Sequence, residues 1–295
     1  MLRGSLGTAL RKTCCTIRRQ HCEDCPLAAH CAFPMLFLGK SVTRGTSYLS
    51  LPPPWSLTVT DTGKTVYAAG ESLTFDLTLF SYAVSYLPYF VHAVILAGQR
   101  GMGKNDAEAR GTFEVEDILY QGQSIFQKEK LRVAVPQGEE LSLPGWNASA
   151  PGFGTLLVFL ESPCRFKADN HLSSGLSFRR LIDLIVRRLR ALWALDEERV
   201  VIDNFFAMLE RADTIDTVEN CLFWKDWTRY SSRQNSSMQL GGLQGSIRYH
   251  GDLADFLPFL TLAQEVHIGK QTSFGLGRIR FQWFPDEKDS DSPVR

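Results

Sequence analysis

Apolar and polar residues alternate from Glu71 to Phe80, the two-residue period of a half-buried strand. From Ser81 to Ala97 the polar interruptions thin out and the pattern reads as a helix, closed by the glycine-rich turn Gly98-Gln99-Arg100-Gly101-Met102-Gly103-Lys104. Gly111–Leu119 alternates again as a strand. Pro144–Gly154 is rich in turn formers and reads as a linker. Beyond it, Thr155–Leu160 is a short apolar strand. In Ser177–Leu195 the residues Leu181, Leu184, Ile185, Leu189, Leu192 and Trp193 fall on one face of an amphipathic helix. Val201–Leu209 reads as a second helix, and Leu222–Arg229 and Ser246–His250 as strands on either side of a Gly241-Gly242 turn. Asp252–Leu262 reads as a short helix with Pro258 inside it or ending it. Arg278–Phe284 returns as a strand.

The second half therefore runs β-α-(α)-β-β-α-β, the order of a ferredoxin-like (RRM-like) unit. The first half repeats its ending, with strand, helix, glycine loop and strand, so two similar units are expected. The expected fold is α+β, with tandem ferredoxin-like domains at residues 1–145 and 154–285 and a polar tail at 286–295.

Phe80–Gly98 carries no Asp, Glu, Lys or Arg and is long enough to span a bilayer. Its three tyrosines, Pro88 and His92 favour a core helix with His92 packed inside it, and no membrane association is expected. Arg3, Arg11, Lys12, Arg18 and Arg19 near the start imitate a mitochondrial presequence. The cysteines there and the lack of serine enrichment argue against one, and no secretory leader is evident. A cytoplasmic location is the expectation. Lys plus Arg balance Asp plus Glu at 32 each, so net charge alone does not announce a nucleic-acid binder. Arg179, Arg180, Arg187, Arg188 and Arg190 nevertheless crowd one helix, which reads either as a basic RNA-contacting face or as a solvated face paired with nearby acids.

Candidate chemistry sits in two places. The loop from His267 to Arg280 holds Gly269, Gly275 and Gly277 among Lys270, Arg278 and Arg280. Glycines permit close backbone approach, and exposed amides can cradle an anion. The loop is not a Walker A motif, because Lys270 follows the first glycine and Arg278 follows the last. His267, beside it, reads either as an acid–base residue or as a packed strand end. The second place is the series Cys15, Cys22, Cys25 and Cys31, with Cys14 as an alternative to Cys15. Its spacing suits a structural zinc before an iron–sulfur cluster, and unmetallated thiols are the plain alternative. Cys164 and Cys221 read as small core residues.

VHIGKQTSFGLGRIRF (266–281) resembles the C-terminal signature of CRISPR-associated repeat endoribonucleases of the RAMP superfamily. The segments WTRYSSRQNSSMQLGGLQGSIRYHG (227–251), LVFLESPCRFKADNHLSSGLSFRRLIDLIVRRLRAL (157–192), LRGSLGTALRKTCC (2–15) and LPYFVHAVILAGQRGMGK (87–104) resemble that family in the same order. The resemblance implies two RRM-like domains and metal-independent cleavage of CRISPR repeat RNA in a precursor transcript to give guide RNA. The RNA 2′-hydroxyl attacks the adjacent phosphate, leaving a 2′,3′-cyclic phosphate and a 5′-hydroxyl. No catalytic cofactor is implied. His267 leads as acid or base, and Lys270, Arg229 and Arg233 are candidates for stabilising the phosphorane. Gly269, Gly275, Gly277, Arg278, Arg280, Arg187, Arg188, Arg190 and Arg248 are candidate RNA contacts. Other CRISPR effector subunits are candidate partners. Two alternatives remain: a non-catalytic RAMP subunit that holds guide RNA, and a zinc- or iron–sulfur-centred protein. One departure stands out, since the family's LRGxLG element normally follows a first strand and here begins at Leu2, so the first domain is expected to lack that strand.

Overall fold

The computed structural model describes residues 1–18, 21–39, 41–44, 47–59, 64, 66–103, 111–139, 152–166, 175–196, 205–226, 228–231 and 236–286. The chain forms two compact units, Met1–Glu140 with Ala191–Arg199 and Leu141–Arg190 with Val200–Arg295. Both mix helices with antiparallel strands, and the architecture is α+β with tandem ferredoxin-like units.

In the first unit, helix α1 (Leu2–Cys14) turns Leu6, Ala9 and Leu10 inward. Strand β1 (Trp55–Val59) pairs antiparallel with β2 (Phe75–Leu79), with Trp55 opposite Leu79. Helix α2 (Leu87–Arg100) follows a 3₁₀ turn at Ser81–Tyr86 and carries Pro88 in its first turn, where the missing N–H leaves no intrahelical bond unmade. Trp55 organises the core. Its indole N–H donates to the Leu36 carbonyl at 2.7 Å, and its ring meets Phe37 at 5.4 Å and the edge of Phe90 at 5.8 Å.

Two expectations for this unit change. The alternation from Glu71 becomes a ladder only at Phe75, and Gly111–Leu119 forms no strand ladder across 112–118. Gly111 bridges Met102, and the Phe113 N–H donates to the Gly98 carbonyl at 3.2 Å. In a ferredoxin-like sheet the last strand hydrogen-bonds to the first. Among the described residues this alternating segment pairs with no strand across 112–118. Ser81–Arg100 is long and apolar enough by length and composition to cross a membrane. Its Phe90, Val91, Ala93 and Ala97 are buried within the unit, while His92, expected in the core, is exposed.

The second unit is built on a four-stranded antiparallel sheet. Its elements in order are β3 (Phe153–Cys164), α3 (Phe178–Trp193, whose last residues are grouped with the first unit), α4 (Phe205–Asp213), β4 (Asp216–Lys225), β5 (Gly242–Asp252), α5 (Leu257–Val266) and β6 (Ile279–Pro285). The strands lie in the order β4-β5-β3-β6, so the unit's first strand is central beside its last. Along β3 the side chains of Leu156, Val158 and Leu160 are buried while Thr155, Leu157, Phe159 and Glu161 remain half-exposed on the other face. The buried face packs on the helices through Phe178, which meets Tyr249 at 5.2 Å and Phe256 at 4.9 Å, both edge-on. Arg211 of α4 binds Asp252 and Asp255 at 2.5 and 2.6 Å, tying α4 to the turn that enters α5. Cys164 is buried as expected, but Cys221 is exposed on β4.

The buried Tyr249 hydroxyl donates to the Leu176 carbonyl at 2.7 Å. Tyr249→Phe leaves that acceptor without its donor, so urea unfolding should show a loss of about 1–2 kcal/mol with unchanged secondary structure.

Candidate functional site

The chain leaves α5 at Val266 and re-enters the sheet at Ile279, and the loop between them is held open by left-handed backbone. His267, Gly269, Gln271, Gly275 and Gly277 have φ of 58°, 77°, 65°, 85° and 77°. At Gly277 a Cβ would stand 1.8 Å from the Ile268 carbonyl oxygen, so no side chain fits without moving backbone. That closeness lets the Ile268 N–H donate to the Gly277 carbonyl at 2.8 Å and close the loop at its neck. The Lys270 N–H donates to the Arg165 carbonyl at 2.8 Å and the Gly277 N–H to the Pro163 carbonyl at 3.1 Å, which fasten the loop to the end of β3. Phe274 and Gly275 donate within the loop to Gln271 and Thr272. Many of the amides expected to cradle an anion are therefore engaged in the loop's own frame. Its charge comes from side chains.

Lys270 is exposed at the loop's outer turn. Arg278 and Arg280 extend from the start of β6 and share one carboxylate, with the Arg278 Nε 3.0 Å from Glu161 Oε2 and the Arg280 Nε 3.1 Å from Oε1. Arg280 also lies over the Phe159 ring at 5.2 Å. Glu161 was not singled out from sequence. Its importance depends on β3 and β6 being neighbours, which places Phe159 opposite Arg280 and Leu160 opposite Ile279. Gln271 was also missed. Its side-chain Oε1 is buried without a hydrogen-bond partner among the described residues, an acceptor available at the loop.

His267 is 2% exposed, and its Nδ1 donates to the Leu276 carbonyl at 3.1 Å. Burial pushes the imidazole down to about 4, the Leu276 carbonyl opposes the shift, and the guanidiniums of Arg188 and Arg278 add to it. The ring is neutral at physiological pH and braces the loop from inside. Of the two readings left open for it, the geometry favours the packed one.

The arginines of α3 separate by environment. Arg188 is 4% exposed and donates from Nε to the Val266 carbonyl at 3.0 Å, so it is a structural brace and not the RNA contact expected of it. Burial brings its pKa down to about 10, still charged at neutral pH. Arg190 stacks over Phe205 at 4.3 Å. Arg187 is exposed but bonded to Asp183 at 2.8 Å, and Arg180 holds the same carboxylate at 3.0 Å. With Arg179, Thr217 and Asn220 these residues line a cleft of about 740 Å³. Arg248, on β5, is paired with Glu219 at 3.0 Å. Arg229 lies in the strand Thr228–Ser231, but its side chain and all of Arg233 fall outside the described residues. Lys270, Gly269, Gly275, Gly277, Arg278 and Arg280 are thus gathered in one loop and strand start, with His267 beneath them.

Residues 158–279, which contain this loop, match the sequence family described as CRISPR-associated endoribonuclease Cas6. Residues 1–139 match AF_1859_N, described as an N-terminal domain. Among solved structures, the product complex of the Thermus thermophilus Cas6 TTHB231 aligns over 95% of this chain and 92% of its own, at 12% identity and a TM-score of 0.51, a likeness of fold. The product complex of Cas6 TTHA0078 aligns over 45% of this chain at 19% identity and a TM-score of 0.32, and the chain spans 55% of that relative's length. A partial Cas6-RT-Cas1–Cas2 complex aligns over 82% of this chain and 40% of its own, at 15% identity and a TM-score of 0.46. No curated protein matches.

The His267 environment makes a pH prediction. An unfolded imidazole takes up a proton near its ordinary 6.5, and the folded one only near about 4. The neutral ring's contribution is complete above 6.5 and is lost as pH falls toward about 4, by up to about 3 kcal/mol. Urea midpoints followed between about pH 7 and about pH 4 should fall less steeply in His267→Gln than in the parent. Parallel curves would show that the ring is not buried neutral.

Proposed function

We propose that this chain, whose residues 158–279 match the CRISPR-associated endoribonuclease Cas6 family, cleaves CRISPR repeat RNA in its precursor transcript to release guide RNA. The observation that carries this reading is the braced loop with Lys270 and Arg278, which lies inside the family-matched segment, and with Arg280 just beyond its end.

The chemistry proposed is internal transfer without a metal ion. The 2′-oxygen attacks the neighbouring phosphorus, the bond from phosphorus to the 5′-oxygen breaks, and a 2′,3′-cyclic phosphate and a 5′-hydroxyl result. One proton leaves the 2′-hydroxyl and one reaches the departing 5′-oxygen. Lys270 is assigned to the non-bridging oxygens, where negative charge builds up in the transition state. Arg278 and Arg280 bind flanking phosphates, and Glu161 holds their guanidiniums in place while offsetting part of their charge. His267 is assigned to support of the loop. Arg229 and Arg233 are retained as candidates for orienting the 2′-hydroxyl.

The burial of His267 gives weight to a second reading, a subunit that holds guide RNA without cutting it. One assay separates the two. Purified protein is incubated with end-labelled repeat RNA in the presence of EDTA, and the product ends are identified. Cleavage with a cyclic phosphate end is expected. Binding without cleavage selects the second reading, and cleavage abolished by EDTA in a folded protein rejects the metal-free mechanism.

Two substitutions refine the assignment. Lys270→Ala should slow single-turnover cleavage on the order of 10²-fold while RNA is still bound. Glu161→Gln should tighten RNA binding and steepen its salt dependence, because two guanidiniums lose their internal counterion. Unchanged affinity and salt slope would mean that Arg278 and Arg280 do not meet the RNA backbone.

A further inference from the structure

Between α1 and the π-helical turn Pro34–Leu38 the chain runs through a loop whose least exposed residues are mostly cysteines. Among the described residues of 15–31, none is fully buried, and the only ones not exposed are Cys15, Cys22, Cys25, Ala28 and Cys31. The apolar side chains that might have closed the loop point the other way, with Ile17 at 36% and Leu27 at 48% exposure. Charged Glu23 and Asp24 also face out. A loop of this length with two single-turn helices and no hydrocarbon core has little to offset the entropy of ordering it. Four half-buried cysteines on such a loop supply the donor set of a tetrahedral metal site.

Local backbone geometry agrees. Cys15 caps α1, its N–H donating to the Arg11 carbonyl at 2.8 Å. Cys22 and Cys25 flank one 3₁₀ turn, closed by the Cys25 N–H on the Cys22 carbonyl at 3.4 Å, which holds the two thiols of a CxxC pair on a single knuckle. The Ala28 N–H then donates to the Cys25 carbonyl at 3.0 Å and the Met35 N–H to that of Cys31 at 3.4 Å. Cys22 and Cys31 pack against the first unit's hydrophobic core, so the loop is moored at both. Cys14 also packs on that core but is held within the last turn of α1, whereas Cys15 lies just beyond the helix, on the loop with the other three cysteines.

We infer that Cys15, Cys22, Cys25 and Cys31 bind a single structural zinc ion that locks residues 15–31 onto the first unit. Among the described residues no three such groups stand within coordinating reach of one point, and binding requires the four side chains to converge on the ion. Each gives its proton to solvent as a zinc–sulfur bond forms, with no change of oxidation state. This site is independent of the RNA chemistry proposed above. It carries no water ligand and no open position.

The test uses the full chain, purified without chelator. Elemental analysis should find about one zinc per chain, released by a mercurial as the thiols are titrated. Hydrogen exchange across residues 15–31 should quicken on zinc removal while the second unit stays protected. Cys22→Ser and Cys25→Ser should lose the ion, and Cys14→Ser should keep it. The exchange experiment on the parent protein stands even if a ligand variant fails to fold. Zinc-free protein whose four thiols react as fast as in the unfolded chain overturns the inference. So does iron with visible absorbance, and so does zinc loss in Cys14→Ser equal to that in Cys22→Ser.

Discussion

A buried guanidinium ends a helix, and the second unit's loop depends on it. Arg188, on α3, donates to the carbonyl of Val266, the last residue of α5, from a position almost wholly removed from solvent. The last carbonyls of a helix have no internal partner and carry partial negative charge, so a cation there satisfies both needs. The consequence is that α5 stops at a fixed point against α3. The next residue, His267, enters left-handed backbone with its ring already enclosed. Every later contact of the loop, from the Ile268–Gly277 closure to the fastenings on Pro163 and Arg165, starts from that stop.

Around this frame the electrostatics divide into an inner and an outer set. Inside, Arg188 keeps its charge and His267 gives its charge up, because burial penalises both and only the guanidinium's intrinsic pKa is high enough to survive it. Outside, Lys270, Arg278 and Arg280 are solvated, with Glu161 between the two arginines. The inner charges set geometry and the outer ones are available to a polyanion. The same division runs along α3, where Arg188 is interior while Arg187 is on the surface one residue away.

Much of the second unit could be read from residue pattern. The apolar alternation of β3 and β6, the amphipathic stripe of α3 and the glycine spacing of the loop are local signals, and local signals survive folding. Element ends moved, as with α5, which begins at Leu257 after a separate 3₁₀ turn because Pro258 belongs in a first turn. The first unit was less legible. Gly111–Leu119 has the alternation of a strand, but a ladder needs a partner as well as a pattern. The site was half legible for a related reason. Glycines and cations announce themselves in sequence, whereas the roles of Arg188, His267 and Glu161 depend on which elements become neighbours. Periodicity placed Arg188 among the polar positions of α3, and only the approach of α5 makes that position interior.

The close approach at Gly277 also bears on how such a loop can change over time. Its backbone closure admits no side chain, and its other left-handed positions tolerate few, so the frame is inherited whole or lost. Lys270, Arg278 and Arg280 contribute their side chains without supplying the bond at the neck. They can be exchanged singly while the loop keeps its shape. A lineage carrying this fold can therefore alter the fringe of charges while leaving untouched the backbone that presents them.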